Sequence, residues 1–295
     1  MSSKVQLTKY GYYEIKNKPT NKELENILAN HYYQGNVENS YEKTYSDKEI
    51  LSFERHARKK EFIIRCYNKN AKSILDIGCG EGFLLKYFHE NDWEVCGIDF
   101  SEYGVKVHNP EMLSFLRKGD CLDILESFYK EGKRFDVVNM DMSLEYNLEP
   151  EKILNISHKI LNEKGILIVR VSNCLSPLHR ELLSRGILKE ETWFDKSMNL
   201  HYFGKDELIR LLADCQYECL ATYGDAFMDF DLLNPLTNYY DLEYAGRTCY
   251  MAMLDAEEII ENVSLEKMVE LEKVLGDMGF GRHITCVCTS RENFI

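Results

Sequence analysis

The chain has 295 residues, of which 36 are Lys or Arg and 49 are Asp or Glu, for a net charge of −13. At 44% hydrophobic and 29% charged residues, it has the makeup of a folded globular protein, long enough to bury its own core without disulfides or a structural metal. The acidic balance repels phosphate backbones and so excludes nucleic acid as a default partner, and no run of 18 apolar residues offers a membrane span.

The N-terminus, Met1 to Gln6, lacks the apolar segment of a signal peptide. The ten Cys follow no disulfide framework, and Cys79, Cys96, Cys121, Cys286 and Cys288 sit in apolar stretches. A reducing, cytoplasmic compartment is therefore expected. A composition rich in Lys, Asn, Ile and Tyr points to an AT-rich, bacterial genome. Residues 1–60 read as an N-terminal helical cap. It is crowded with Tyr10, Tyr12, Tyr13, Tyr32, Tyr33, Tyr41 and Tyr45, whose area and polar tips could close over a site or form the cap's own core. A short strand is expected at Gly11 to Ile15. A helix follows from Thr20, with Glu23 completing a capping box. The spacing of Ile50, Phe53, Ala57 and Phe62 predicts a helix from Asp47 to Tyr67.

From Ser73 the pattern alternates strands and helices. Strands are predicted at Ser73 to Gly78, Glu94 to Asp99, Ser114 to Gly119, Phe135 to Met140 and Gly165 to Val171. Helices are predicted at Phe83 to Asn91 and Pro150 to Leu161. This is the signature of a mostly parallel sheet covered on both faces. A helix from Phe203 to Asp214 and strands at Tyr217 to Tyr223 and His283 to Ser290 complete the series. The connection between those last two strands is far longer than ordinary. This insertion, 224–281, carries an aromatic stretch from Tyr239 to Tyr250 and an amphipathic helix expected at Ala256 to Leu275, and is a candidate lid or dimer surface. The divisions are thus a 1–60 cap, a 61–223 core, a 224–281 insertion and a last core strand at 282–295.

The sharpest local signal is Asp76-Ile77-Gly78-Cys79-Gly80-Glu81-Gly82. A hydrophobic strand ends in a glycine-rich turn, and a helix with free N–H groups begins at once. Phe83 stands where a dinucleotide fingerprint wants its third Gly, and Asp76 would repel a pyrophosphate but not an ammonium group. The run resembles motif I of class I S-adenosylmethionine-dependent methyltransferases.

The resemblance covers roughly residues 60–223 plus the last strand. It implies an α/β Rossmann-like fold with a seven-stranded, mostly parallel sheet and an antiparallel last strand. It implies S-adenosylmethionine held by Asp76, Gly78, Cys79, Gly80 and Gly82. Asp99, with Phe100 and Ser101 after it, would meet the ribose hydroxyls. Asp120 and Cys121 would meet the adenine. Met140, in the run Asn139 to Asp141, would sit over the methionine portion. Arg58, or Arg55, would meet the cofactor carboxylate.

For the acceptor, His201 is the first choice of general base, since it follows the fifth strand and has a pKa suited to a hydroxyl. Its bland alternative is a loop histidine bonded to backbone, and His179 is a weaker candidate. Asp141 and Glu145 would share a face if a helical turn begins there. Asp141 and Asn173 resemble the oxygen ligands of metal-dependent catechol methyltransferases, a set that suits Mg²⁺ or Mn²⁺, but Ser172 stands where that pattern has a second Asp, so no metal is expected. Asn234-Pro235 lies outside the position of a nucleic-acid amino-methylase motif. The expected function is methyl transfer to a small molecule, most plausibly at oxygen of a sugar-linked or phosphorylated precursor. A protein methyltransferase and a non-catalytic cofactor-binding protein are the alternatives. No nucleic-acid or membrane partner is expected, and a homodimer through the insertion or cap is possible.

Overall fold

A computed structural model describes residues 4–28, 44–191, 199–225, 227–242 and 244–294. Tyr32, Tyr33, Tyr41 and His31 lie outside the described residues. The chain runs β1 (Val5–Leu7), β2 (Tyr13–Ile15), α1 (Asn21–Asn26), α2 (Asp47–Tyr67), β3 (Ser73–Ile77), α3 (Phe83–Glu90), β4 (Glu94–Asp99), α4 (Tyr103–His108), β5 (Leu116–Lys118), α5 (Cys121–Lys130), β6 (Phe135–Asp141), α6 (Pro150–Lys159) and β7 (Leu161–Ser172). It continues with α7 (Pro177–Ser184), β8 (His201–Tyr202), α8 (Lys205–Asp214), β9 (Tyr217–Asp225), α9 (Ala245–Val263), α10 (Leu265–Asp277) and β10 (His283–Ser290).

Seven strands form one sheet in the order β5-β4-β3-β6-β7-β10-β9. The first five are parallel, and β10 runs antiparallel between β7 and β9. Strand alternation divides the core into two layers. Leu75, Ile77, Val138, Met140, Leu167 and Val169 face α5, α6 and α8. Ile74, Val137, Ile166, Ile168 and Val287 face α2 and α3 on the other side. The expected capping box forms at Thr20 with Glu23, and a second is found at Ser46 with Glu49.

Several elements depart from expectation. Residues 5–15 form a hairpin whose second strand pairs with β8, giving a small three-stranded sheet; Arg210 of α8 donates to the Tyr10 carbonyl in its turn. The single insertion helix is two. Ser264 adopts φ −169°, ψ 113° and caps α10 by accepting from Lys267 N–H at 3.2 Å. A serine that bonds a neighbouring backbone group there ends one helix and starts the next. Among the described residues, no helix is long and apolar enough to cross a membrane.

Candidate active site

The turn after β3 is shaped by its glycines. Gly78, Gly80 and Gly82 all have positive φ. A Cβ on Gly78 would stand 2.5 Å from Ser143 Cβ, because the loop after β6 packs directly on the turn, with Ser143 Oγ donating to the Ile77 carbonyl at 2.6 Å. Two cavities flank this turn and share Gly78 and Met142. The smaller, about 80 Å³, is lined by Asp99, Phe100, Gly119 and Cys121 among others. The larger, about 370 Å³, takes in the whole turn and the carboxyl ends of β3, β6, β7 and β9.

Asp99 ends β4 with one oxygen accepting Gly80 N–H at 3.0 Å and the other Ser101 N–H at 2.9 Å. These two bonds fix the orientation of its carboxylate beside the cavity it lines. Asp76 is buried, and burial raises its pKa to about 6; its Oδ1 accepts from Asn139 Nδ2 at 2.6 Å. This backbone-rich cradle with one acid on each side fits a nucleoside that also carries a cationic group. Of the remaining residues expected at the cofactor, Phe100, Cys121, Gly80, Gly82 and Cys79 do line the cavities.

Others do not. Ser101 is buried and accepts from Tyr103 N–H. Met140 is wholly buried in the core layer under the sheet. Asp120 caps α5, accepting from Leu122 N–H at 2.8 Å and Asp123 N–H at 3.3 Å, and faces an adjoining recess. Arg58 is bound to Glu261 of α9 at 2.7 and 3.0 Å, and Arg55 also turns toward α9. Both long side chains follow the charge on the insertion, not the cofactor turn.

The acceptor-side expectations are corrected more deeply. His201 is 1% exposed and lines neither cavity. Its Nε2 lies 2.9 Å from the Asn147 carbonyl, and burial, with Lys18 nearby, lowers its pKa to about 4. It is the backbone-bonded histidine. Glu145 and Asp141 do not share a face, because Met142 has φ +51° and redirects the chain. Glu145 is buried under β7, accepts from Ser172 N–H at 3.2 Å, and is raised to about 7 by burial. His179 is bound to Asp229, as are Tyr239 and Arg282, and so anchors the insertion. The Asn173 amide donates to the carbonyls of Gly279 and Gly281.

What lies at the larger cavity instead is a row of polar residues on the α2-facing side of the sheet. Register makes the row. Asp76 is paired across strands with Asn139, Asp141 with Arg170, and His283 with Asp225. Arg170 NH1 donates to Asp141 Oδ1 at 2.9 Å and its Nε to Asp225 Oδ2 at 2.8 Å. From α2, Lys60 Nζ donates to Asn139 Oδ1 and Asp141 Oδ2, each at 2.7 Å, and His56 Nε2 lies 2.9 Å from Asp141 Oδ2. Burial would push Asp141 up, but Lys60, then Arg170 and His56, outweigh it and hold the carboxyl well below its usual range. His56, half-buried beside that cluster, is pushed down to about 4 by desolvation. His56, Lys60, Arg170, Asp225 and His283 escaped sequence reasoning. One signal was available: Arg170 interrupts an otherwise apolar strand, and a buried arginine needs a partner.

The fold and the motif turn define a class I S-adenosylmethionine-dependent methyltransferase. A model of the family described as a methyltransferase domain matches residues 52–222, more than half of the chain, and the protein belongs to that family. It is 29% identical over 177 residues to a ubiquinone biosynthesis O-methyltransferase of Idiomarina loihiensis, covering 57% of this chain and 68% of that one. It is 32% identical over 117 residues to the protein of the same name from Pelagibacter ubique, covering 39% of this chain and just under half, 48%, of the relative. A solved S-adenosylmethionine-dependent methyltransferase from Archaeoglobus fulgidus has a TM-score of 0.49 at 17% identity, covering 82% of this chain and 94% of that one.

Proposed function

We propose that the enzyme methylates a hydroxyl of a small acceptor held in the larger cavity, with His283 as the base that takes the hydroxyl proton. The observation that carries this is the place of His283. It lines the cavity, its side chain is 17% exposed, and its Nδ1 lies 3.0 Å from Asp225 Oδ1. Arg170 NH2 lies 2.8 Å from the same nitrogen, so the tautomer decides which bond forms. With Nδ1–H donated to Asp225, Nε2 is left to receive a proton, and Asp225 steadies the resulting imidazolium. Burial, and then Arg170, lower the pKa of His283, which keeps the ring neutral and able to act as a base.

S-adenosylmethionine would supply a methyl group already activated on a sulfonium. On this reading Gly78, Gly80 and Gly82 admit its backbone-facing portion, Asp99 takes the ribose hydroxyls and Asp76 faces the ammonium. The chain's own work is to orient the acceptor, exclude water and receive the proton. Oxygen as the acceptor atom is supported by the names of the relatives. A sugar-linked acceptor suits the polar floor. A phosphorylated one is disfavoured by Asp76, Glu81, Asp141, Asp225 and Glu257, all of which line the cavity. The 224–281 insertion is read as one wall of that cavity.

The test is kinetic, using an acceptor found by screening hydroxylated small molecules for labelled methyl uptake. His283→Ala should lower kcat by about 10²–10⁴, with little change in calorimetric affinity for S-adenosylhomocysteine. His201→Gln should leave kcat within about twofold of the parent, as expected for a residue outside both cavities. The reverse pattern would return the role to His201.

A further inference from the structure

Helix α9 presents one stripe to the larger cavity. Tyr250, Met253, Leu254 and Glu257 all line it, at the three- and four-residue spacing of a single helical face. Across from them stand Phe53 of α2 and Phe83 of α3, stacked at 4.6 Å between ring centroids. Two apolar walls over a floor of paired charges suit a ring-shaped body.

Glu257 stands out among the cavity carboxylates. Asp76 is bonded by Asn139, Asp141 by Lys60 and Arg170, Asp225 by Arg170, and Glu81 by Tyr45. Among the described residues Glu257 makes no hydrogen bond or ion pair, although Lys59, Asp225, Arg170 and Arg55 act on it through space and burial raises its pKa. A half-buried, unpaired carboxylate carries a desolvation cost that a donor group can offset. Its helix is also held in place. Arg247 bonds Glu49 at 2.7 Å on one side of Glu257, and Arg58 bonds Glu261 on the other.

We propose that Glu257 reads the acceptor: its carboxylate takes a hydrogen bond from a hydroxyl or ammonium group on a ring-bodied acceptor, selecting neutral or cationic molecules and rejecting anions. This deepens, and rests on, the reading of the larger cavity as the acceptor site. The methylated hydroxyl points to the His283 floor, and the group that Glu257 reads lies elsewhere on the ring.

The experiment is calorimetry on the full chain saturated with S-adenosylhomocysteine. It is titrated with 4-methylphenol, tyramine and 4-hydroxyphenylacetate, which are neutral, cationic and anionic rings of similar size. The acetate should bind at least about tenfold more weakly than the other two. Glu257→Gln should shrink the tyramine-to-acetate ratio by about fivefold or more, Glu257→Lys should invert it, and Glu257→Asp should keep its order. Affinity for S-adenosylhomocysteine should stay level throughout. The proposal is overturned if the acetate binds as well as tyramine, if none of the three binds the loaded enzyme, or if Glu257→Gln leaves the ratio unmoved. Failure of the unaltered chain to bind S-adenosylhomocysteine would instead strike the cofactor reading beneath it.

Discussion

The two cavities beside Gly78 are built by different means. The smaller draws on the ends of β3, β4 and β5 and the turns that follow them, with Met142, Ser143, Tyr146 and Asn147 from the segment after β6, and its turns are held by glycine and by Asp99. The larger draws its charges from α2, β3, β6, β7, β9 and β10 and a wall from α9, residues spread from Ser52 to His283. Backbone at strand ends can be specified by a few adjacent residues. A charged floor needs partners that meet only through sheet register and helix docking. The difference is that, among the described residues, only the larger cavity takes a wall from the 224–281 segment. It also predicts different costs of damage.

The largest effect should come from the floor. Arg170→Met leaves Asp141 and Asp225 buried without the guanidinium between them, and removing one member of a buried ion cluster costs about 3–5 kcal/mol. Urea unfolding should show that loss, and adding Asp225→Asn should recover part of it. A variant as stable as the parent would mean that Lys60 and His56 suffice, and would erase the contrast.

Next comes the nucleoside side. Asp99→Ala removes a charged acceptor, at about 1.5–3 kcal/mol per lost bond. Affinity for S-adenosylhomocysteine should fall at least about tenfold, while the loss of stability, set by the Gly80 and Ser101 N–H groups left without their acceptor, should stay below that of Arg170→Met. A fold loss as large as that of Arg170→Met would make the two cavities equivalent.

The smallest effect concerns a carboxylate in neither cavity. Burial raises Glu145 from 4.5 to about 7, so its ionised form destabilises the native state above that pH. The cost fades as pH falls through 7 and is gone below 4.5. Glu145→Gln keeps the oxygen that accepts Ser172 N–H and removes the charge. It should stabilise the fold at pH 8 by on the order of 1–2 kcal/mol, with no gain at pH 4. An equal gain at both pH values would point to packing as the cause.

Residues whose role is set by near neighbours were legible. The α2 span, the β4 span, the β10 span and the Thr20 capping box follow from local pattern. So does the motif turn, where Asp76 and the glycines act within seven residues. Asp99 was found because its strand ends a fixed distance on. His201 and Asp141 show the limit. Chain order places both after inner strands, yet a two-residue pairing with β2 draws His201 under the small sheet, and three side chains from α2 and β7 close on Asp141. Ser264 was visible as a residue type, but a helix that continues and a helix that restarts have the same apolar spacing.

Sequence by itself determined the class of this protein: the alternation that makes the sheet, the glycine turn, and the acids that end β3 and β4. These are short-range matters of strand parity, turn conformation and free N–H groups. Tertiary structure alone decided which side chains line the larger cavity. Asp141, Arg170, Asp225 and His283 lie at or near the ends of four strands, β6, β7, β9 and β10, and nothing within any one strand names its partner in another. Only hydrogen-bonded register sets those residues side by side on one face of the sheet, and only the docking of α9 on α2 brings Glu257 over them.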